Sequence, residues 1–234
     1  AIKKKHGDPQ IRVASIGIAG EKGVKYACVV NDYHRAAGRS GVGTVMGSKN
    51  LKAVAIRGTL GVSVKDPKRF FEAAAAGKAV LAGNAVTGEG LPAFGTQVLM
   101  NVINETGALP THNHRDVQFT GAHSISAEAM AEPRESDEQV IDPISFGATV
   151  GAAMEMYEDG ILTDKETDGI ELKFGNAKAL TDLAELTGKG EGFGAEIGLG
   201  SKLLCEKYGH AELSMSVKGQ EFPAYDSRGI QGMG

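Results

Sequence analysis

Apolar and polar positions alternate with a period of two near the start of the chain, then shift to helical spacing. Ile11-Arg-Val-Ala-Ser-Ile-Gly-Ile18 alternates as a half-buried strand does. Val24-Lys-Tyr-Ala-Cys-Val-Val30 predicts a second strand after a turn at Gly20–Gly23, and Leu51–Arg57 a third, stopped by Gly58. A glycine-rich loop, Gly38–Asn50, separates the second from the third. Beyond Gly61 the pattern is helical. Asp66-Pro67 is an N-cap with proline in the first turn, and it opens a helix over Lys68–Leu81 that Gly83 ends. Gln97–Glu105 predicts a short helix closed by Gly107, and Leu109–Glu135 a polar, histidine-bearing loop. Ile144–Tyr157 predicts a helix in which Gly147, Ala148 and Gly151 admit close approach by a neighbour. Asn176 caps a further helix, with Ala179, Leu180, Leu183 and Leu186 on one face and Gly188 as its stop. Ala195–Tyr208 predicts the last helix, ended by Gly209. The expected class is α+β, a β-rich start followed by mainly α-helical sequence.

Composition narrows the function classes. The chain has 234 residues, and 33 of them are glycine. That is well above the usual share of ~7%. The glycines follow no three-residue period, so they do not mark collagen. A net charge of −4 offers no broad basic face to nucleic acid. Two cysteines, far apart, cannot form a secreted disulfide framework, so a reduced, cytoplasmic setting is expected. No apolar run is as long as a membrane helix, which takes ~18 residues. No signal peptide is visible either. A first residue other than Met and an abrupt Gly232-Met-Gly ending read as a piece of a longer protein.

The sharpest chemical feature is the Gly38–Asn50 loop, with Arg35, Arg39, Lys49 and Asn50 around its glycines. Glycines let backbone N–H groups come close to an anion, and the cations neutralise it. The spacing is not that of a P-loop, and it only loosely imitates a dinucleotide fingerprint. A glycine turn that simply packs strands against a helix explains the same residues. His112, His114 and His123 share a polar loop with Asp116 but lack the spacing of a known metal-ligand set, so they read as solvated. His34 reads as a packing residue. Cys28 and Cys205 sit in apolar patterns and read as core thiols. Glu155, Glu158 and Asp159 read as a solvated helix face. In Asp137-Glu-Gln-Val-Ile-Asp142, followed by Pro143, Asp142 reads as a helix cap, and two aspartates about a turn can also accept hydrogen bonds from an NH-rich heterocycle.

Asn31–Gly58, with Arg35-Ala-Ala-Gly-Arg-Ser-Gly-Val-Gly-Thr-Val-Met-Gly-Ser-Lys-Asn-Leu-Lys52 at its heart, closely resembles a signature of the tungsten-dependent aldehyde ferredoxin oxidoreductase family. Gly107-Ala-Leu-Pro-Thr111, Asp142-Pro-Ile-Ser-Phe-Gly147 and Pro223-Ala-Tyr-Asp-Ser-Arg-Gly229 resemble it in the same order. The resemblance implies an enzyme that oxidises aldehydes to carboxylates at tungsten or molybdenum between two pyranopterins. It also implies magnesium bridging the pterin phosphates and a [4Fe–4S] cluster passing electrons to ferredoxin or an electron-transfer subunit, in a homo- or hetero-oligomer. Arg35, Ala36, Gly38, Arg39, Gly41 and Gly43 are then pterin contacts. Asp137, Ile141 and Asp142 match the family's Asp-x-x-Gly-Leu-Asp pterin motif, with Val140 in place of its glycine and Ile141 in place of its leucine.

Other family parts have no counterpart. The cysteine triplet and the active-site glutamate belong between the Pro-Thr segment and the Asp137–Asp142 motif, where Arg134-Glu-Ser136 runs straight into Asp137. The catalytic residues are therefore expected in missing segments. The expected organisation is 1–60 as the end of a β-rich pterin-binding domain, 61–218 as a mainly helical domain with a missing segment near 136–137, and 219–234 as the start of a further domain. Three alternatives stay open: a non-catalytic structural or assembly subunit of the same fold, a related reductase acting on a ring or thioester, and a phosphate-binding Rossmann-type module.

Overall fold

The structure is a computed structural model that describes residues 2–32, 35–126, 140–224 and 226. The chain divides into two units, one of Ala1–Arg57, Pro110–Asp116 and Pro133–Tyr225, the other of Gly58–Leu109, Val117–Glu132 and Asp226–Gly234.

The first unit opens on a short helix, Ile2–His6, then builds an antiparallel sheet in the order β3-β2-β1-β4, with β1 Arg12–Ile16, β2 Val29–Asn31, β3 Arg35–Ala37 and β4 Ala53–Ile56. In β1 the alternation does what it predicts: Ala14 pairs with Asn31 on one side and Val54 on the other. Asp32, in the left-handed region at φ 55°, starts the turn from β2 to β3. Its carboxylate accepts from the Val13 N–H at 3.2 Å and Arg12 Nη1 at 3.1 Å, pinning that turn to β1. The Val13 N–H, then Arg12 and Lys3, hold the Asp32 carboxyl below its ordinary pKa.

The second predicted strand is only partly a strand. Val24–Cys28 runs as irregular backbone and pairs elsewhere. The Lys25 N–H donates to Gly198 O at 2.8 Å, the Cys28 N–H to Val140 O at 3.0 Å, and the Asp142 N–H to Tyr26 O at 3.1 Å. The predicted turn at Gly20–Gly23 is instead a short helix, Ile18–Lys22, ended by Gly23 in the left-handed conformation. The Gly38–Asn50 loop also contains a helix, Val42–Ser48, that glycine content alone disguises.

The core gathers around the Pro143–Glu158 helix, whose Phe146, Val150, Ala152, Ala153 and Met156 are buried. Ile141, Leu183, Phe193, Ile197 and Leu204 join the same cluster. The Asn176 cap is as predicted, its side-chain oxygen accepting from the Ala179 N–H at 3.2 Å, but the Ala177–Lys189 helix runs past Gly188 to a left-handed Gly190. The predicted 195–208 helix is two, Gly192–Ile197 and Ser201–Lys207, broken by Gly200 at φ 82°. A small hairpin follows, β5 Ser216–Val217 and β6 Gln220–Glu221.

The second unit carries the Pro67–Ala82 helix, capped by Asp66 accepting from the Arg69 N–H at 3.0 Å, and Met100–Glu105. The Asn104 side chain ties that second helix to the following loop, accepting from the Phe119 N–H at 2.7 Å and donating to Phe119 O at 3.0 Å. Among the described residues no helix is long and apolar enough to cross a membrane.

Candidate functional site

Three segments of the first unit meet at one place. The first is β3, whose Arg35, Ala36 and Ala37 are all exposed and pair with Asn31, Val30 and Val29. The second is the turn after it. Gly38 leads into a single 3-10 turn, Arg39–Gly41, in which Ser40 and Gly41 both take positive φ, 75° and 66°. The third is 140–142, laid antiparallel against Ala27. In that pairing the hydrogen bonds come from Val140 and Asp142, so the N–H and carbonyl of Ile141 face away from the Ala27 strand.

Gly38 is where these segments touch. A Cβ there would stand 3.3 Å from Asp142 Oδ1 and 3.5 Å from Cys28 Sγ, so a side chain would crowd both. Asp142 is buried, and its other oxygen caps the Pro143–Glu158 helix, accepting from the Ser145 N–H at 3.0 Å. Arg39 lies opposite. Its Nη2 donates to the carbonyl of Glu221, and its Nε stands 4.0 Å from Asp142 Oδ2. That Nε is buried and has no hydrogen-bond partner among the described residues. A buried donor without an acceptor costs free energy, so this geometry leaves room for a further acceptor beside Arg39.

The other loop glycines have a packing reason. A Cβ at Gly41 would collide with the Lys25 carbonyl, one at Gly43 with those of Ala27 and Cys28, and one at Gly47 with that of Gly20. The Gly43 N–H already donates to Ala27 O at 2.9 Å. Gly41 and Gly43 let the Val42–Ser48 helix lie directly on the Val24–Cys28 segment, and Gly47 lets it lie against the Ile18–Lys22 helix. Lys49 and Asn50 follow the far end of that helix. A helix of this length puts them about 10 Å along its axis from Gly41, so they do not join Arg39. The two readings of the loop therefore divide along its length: close packing from Gly41 onward, exposed residues and an unpartnered donor from Arg35 to Arg39.

Val140 explains the motif departure. It sits at φ 61°. A β-branched residue is strained there, and the resembled motif has glycine at this position. Asp137, His34 and the Ser136 junction lie outside the described residues. Ile141 is buried as a whole residue, backbone included.

Sequence reasoning misses Glu221, which is buried beside this cleft. Its Oε1 accepts from the Ser201 N–H at 2.9 Å and Ser201 Oγ at 3.2 Å, while its carbonyl anchors Arg39. A lone glutamate in a two-residue strand carries no periodic signal. Burial, then the nearby Glu221 charge, push the Tyr26 phenol well above its ordinary pKa, and its hydroxyl donates to Ile197 O at 2.9 Å. Glu155 also departs from expectation. It is buried, not part of a solvated face, and takes Asn113 Nδ2 at 2.6 Å and Arg115 Nε at 3.2 Å. His112 bonds Asp116 at 2.8 Å, and His114 packs edge-on to Phe222. Among the described residues no group of three or more His, Cys, Asp or Glu is placed to hold a metal ion. Cys28 and Cys205 are both buried, as expected, and burial pushes the Cys205 thiol up to about 11.

Comparison with known proteins decides the family. The N-terminal domain profile of aldehyde ferredoxin oxidoreductase matches residues 1–58, and the profile of its domains 2 and 3 matches 72–140 and 134–234. The chain belongs to the aldehyde ferredoxin oxidoreductase family. It is 38% identical to the tungsten-containing aldehyde ferredoxin oxidoreductase of Pyrococcus furiosus over 288 residues, and 38% identical to that of Thermococcus kodakarensis over 289. Each pairing takes in 100% of this chain and 48% of the relative. The chain thus spans about half the length of these curated relatives. A WOR-like subunit of an aliphatic sulfonate oxidoreductase from Pyrococcus furiosus is 27% identical over 90% of the chain and 42% of its own length. In fold, the chain matches the active site complex BamBC of benzoyl coenzyme A reductase with a TM-score of 0.68 at 20% identity, over 96% of this chain and 44% of that one. Family membership and the α+β fold agree with the sequence reading.

Proposed function

We propose that this chain is the part of a tungsten-type aldehyde oxidoreductase that grips one end of its pterin cofactor. The observation that carries the reading is the buried Nε of Arg39, without a hydrogen-bond partner among the described residues, 4.0 Å from Asp142 and beside Gly38, where a side chain would crowd Asp142. The residues present fit a bulky, doubly charged, NH-rich group. When bound, the bis-pyranopterin tungsten centre supplies the two-electron chemistry that turns an aldehyde into a carboxylate.

The chain's own residues do four things in this reading. Arg39 donates from Nε to an acceptor of the pterin or its phosphate, while Glu221 O fixes the guanidinium plane. Arg35, exposed on β3, pairs with phosphate charge. Ile141, buried in this chain, belongs to the contacts through its place in the same motif as Asp142. Asp142 accepts from a pterin N–H with Oδ1 while Oδ2 stays on the helix cap. Gly41 and Gly43 shape the loop from behind, and Asp137 completes the motif.

A [4Fe–4S] cluster needs four thiolates. The two cysteines here are both buried, so the cluster ligands, like the catalytic residues, belong to sequence outside this chain. Ferredoxin or a similar carrier is the proposed electron acceptor, and magnesium between the pterin phosphates is proposed on the same footing. The test is metal and pterin analysis of the native protein purified without oxygen. Tungsten or molybdenum together with pterin is expected. A folded protein lacking tungsten, molybdenum and iron would defeat the reading.

A further inference from the structure

The hairpin that holds Arg39 is itself held by the Glu221 side chain. Its turn is Lys218-Gly219, at φ 54° and 80°, two left-handed residues that suit a tight antiparallel connection. Val217 pairs with Gln220 beside the turn, and Ser216 with Glu221 next along. One residue further, the Phe222 N–H donates to Met215 O at 3.0 Å. Ladder bonds alternate along an antiparallel pair, so Ser216 and Glu221 are the pair with no backbone bonds between them. The Glu221 carbonyl therefore points out of the hairpin, and there it accepts from Arg39 Nη2.

Glu221 is only 4% exposed, and no Lys, Arg or His forms an ion pair with its carboxylate among the described residues. Burying a carboxylate is costly unless donors surround it. Both of its donors come from one residue. Ser201 gives its N–H at 2.9 Å and its hydroxyl at 3.2 Å, each to Oε1. That N–H opens the Ser201–Lys207 helix, whose first turn has no acceptors of its own. The Ser201 hydroxyl also lies 2.9 Å from Ser214 Oγ, which lies 2.8 Å from Ser216 Oγ. An ionised carboxylate only accepts, and each hydroxyl has one proton to give. Glu221 therefore sets the direction of the whole run: Ser216 donates to Ser214, Ser214 to Ser201, and Ser201 to Glu221. The run ends on the residue that faces Glu221 across the hairpin, so both strands are tied to the buried start of one helix.

We propose that Glu221 is a positioning residue for the cofactor grip. Its carboxylate, through Ser201, Ser214 and Ser216, fixes the hairpin so that its carbonyl holds the Arg39 guanidinium, with Nε 4.0 Å from Asp142. The purpose of this lock rests on the pterin reading, whereas the lock itself stands on the hydrogen bonds within the chain.

The test takes two readouts on the native protein, purified without oxygen, and on its variants. One is tungsten and pterin content. The other is the rate at which phenylglyoxal, a reagent for guanidinium groups, modifies Arg39, read by peptide mass spectrometry against Arg12, whose side chain is 78% exposed. Glu221→Ala should speed Arg39 modification about fivefold relative to Arg12 and lose most of the tungsten and pterin. Glu221→Gln keeps an acceptor for Ser201 and should stay within about twofold of wild type in both readouts. Unchanged Arg39 reactivity in Glu221→Ala would overturn the proposal, and so would a Gln variant as reactive as the Ala variant. If Glu221→Ala does not fold, Ser201→Ala decides, because it cuts the serine run and leaves the carboxylate in place. It should speed Arg39 modification about threefold, and no change would overturn the proposal. A wild-type protein without tungsten or pterin, in which Glu221→Ala still exposes Arg39 to the reagent, would defeat the pterin reading and retain the lock.

Discussion

Two helices of this molecule are built to one local plan and meet opposite fates. Pro67–Ala82 and Pro143–Glu158 each have 16 residues, each opens on Asp-Pro, and in each the aspartate accepts from the N–H three residues on at 3.0 Å. The second helix has nine buried residues and stands at the centre of the first unit's core. The first has none, and Phe70, Phe71, Val80 and Leu81 are exposed along it. Capping and proline placement decide that a helix forms and where it starts. What it buries is decided by partners elsewhere in the polypeptide, and helical stability comes mainly from that packing.

The contrast can be broken most forcefully with matched truncations of aromatic residues. Phe146 is buried in its helix and Phe71 is exposed in the other. Phe146→Ala should cost about 3–5 kcal/mol in urea unfolding of this chain. Phe71→Ala should stay within about 0.5 kcal/mol. Comparable losses would show that the exposed helix has a covering partner.

The caps give the next effect. Asp142 is a buried cap and Asp66 an exposed one. Asp142→Ala should destabilise by about 2 kcal/mol, because it strips a buried N–H of its acceptor as well as removing a cap. Asp66→Ala should cost about 0.5 kcal/mol. Circular dichroism melts of the pair check both values, and equal shifts would deny that burial separates the two helices.

Val140→Gly should act in the other direction, since residue 140 has left-handed backbone. That backbone costs a residue with a Cβ about 1–2 kcal/mol, and glycine's freedom in the unfolded chain returns part of that. A net gain of about 0.5–1 kcal/mol is expected from chemical denaturation. A loss would mean that the left-handed backbone at 140 carries no strain.

The smallest effect concerns the sheet edge. The Asp32 carboxyl is held below its ordinary pKa in the folded chain. It therefore contributes stability that is present above about pH 4 and fades as pH falls through the folded value. Asp32→Asn should lower the neutral plateau of a stability–pH curve slightly and flatten its acid limb, so that variant and parent converge at low pH. An unchanged acid limb would remove Asp32 from that account.

The same comparison shows how far residues speak for themselves. Both Asp-Pro starts, the Asn176 cap and the β1 and β4 strands are legible, because local periodicity and caps determine them. The Val42–Ser48 helix is not, since glycines required by contact with Val24–Cys28 look like loop glycines until the contact is visible. The break at Gly200 is hidden inside a continuous apolar pattern. At the candidate site, Arg39, Gly38 and Asp142 are legible from the resemblance, and the structure brings them together. Glu221 is not, because it lies 182 residues from Arg39 in sequence and is linked to it only by the fold. Glu155 reads as solvated because its neighbours Glu158 and Asp159 are acidic too, whereas Asn113 and Arg115 reach it from a distant loop.

The central claim is that Arg39 and Asp142 close one cofactor cleft. Its most direct test is the pterin and tungsten content of the native protein, purified without oxygen, beside its Arg39→Ala variant. The account predicts bound tungsten and pterin in the first, and in the second a loss of most of both from a chain that still folds. Full retention of tungsten and pterin by Arg39→Ala would contradict it.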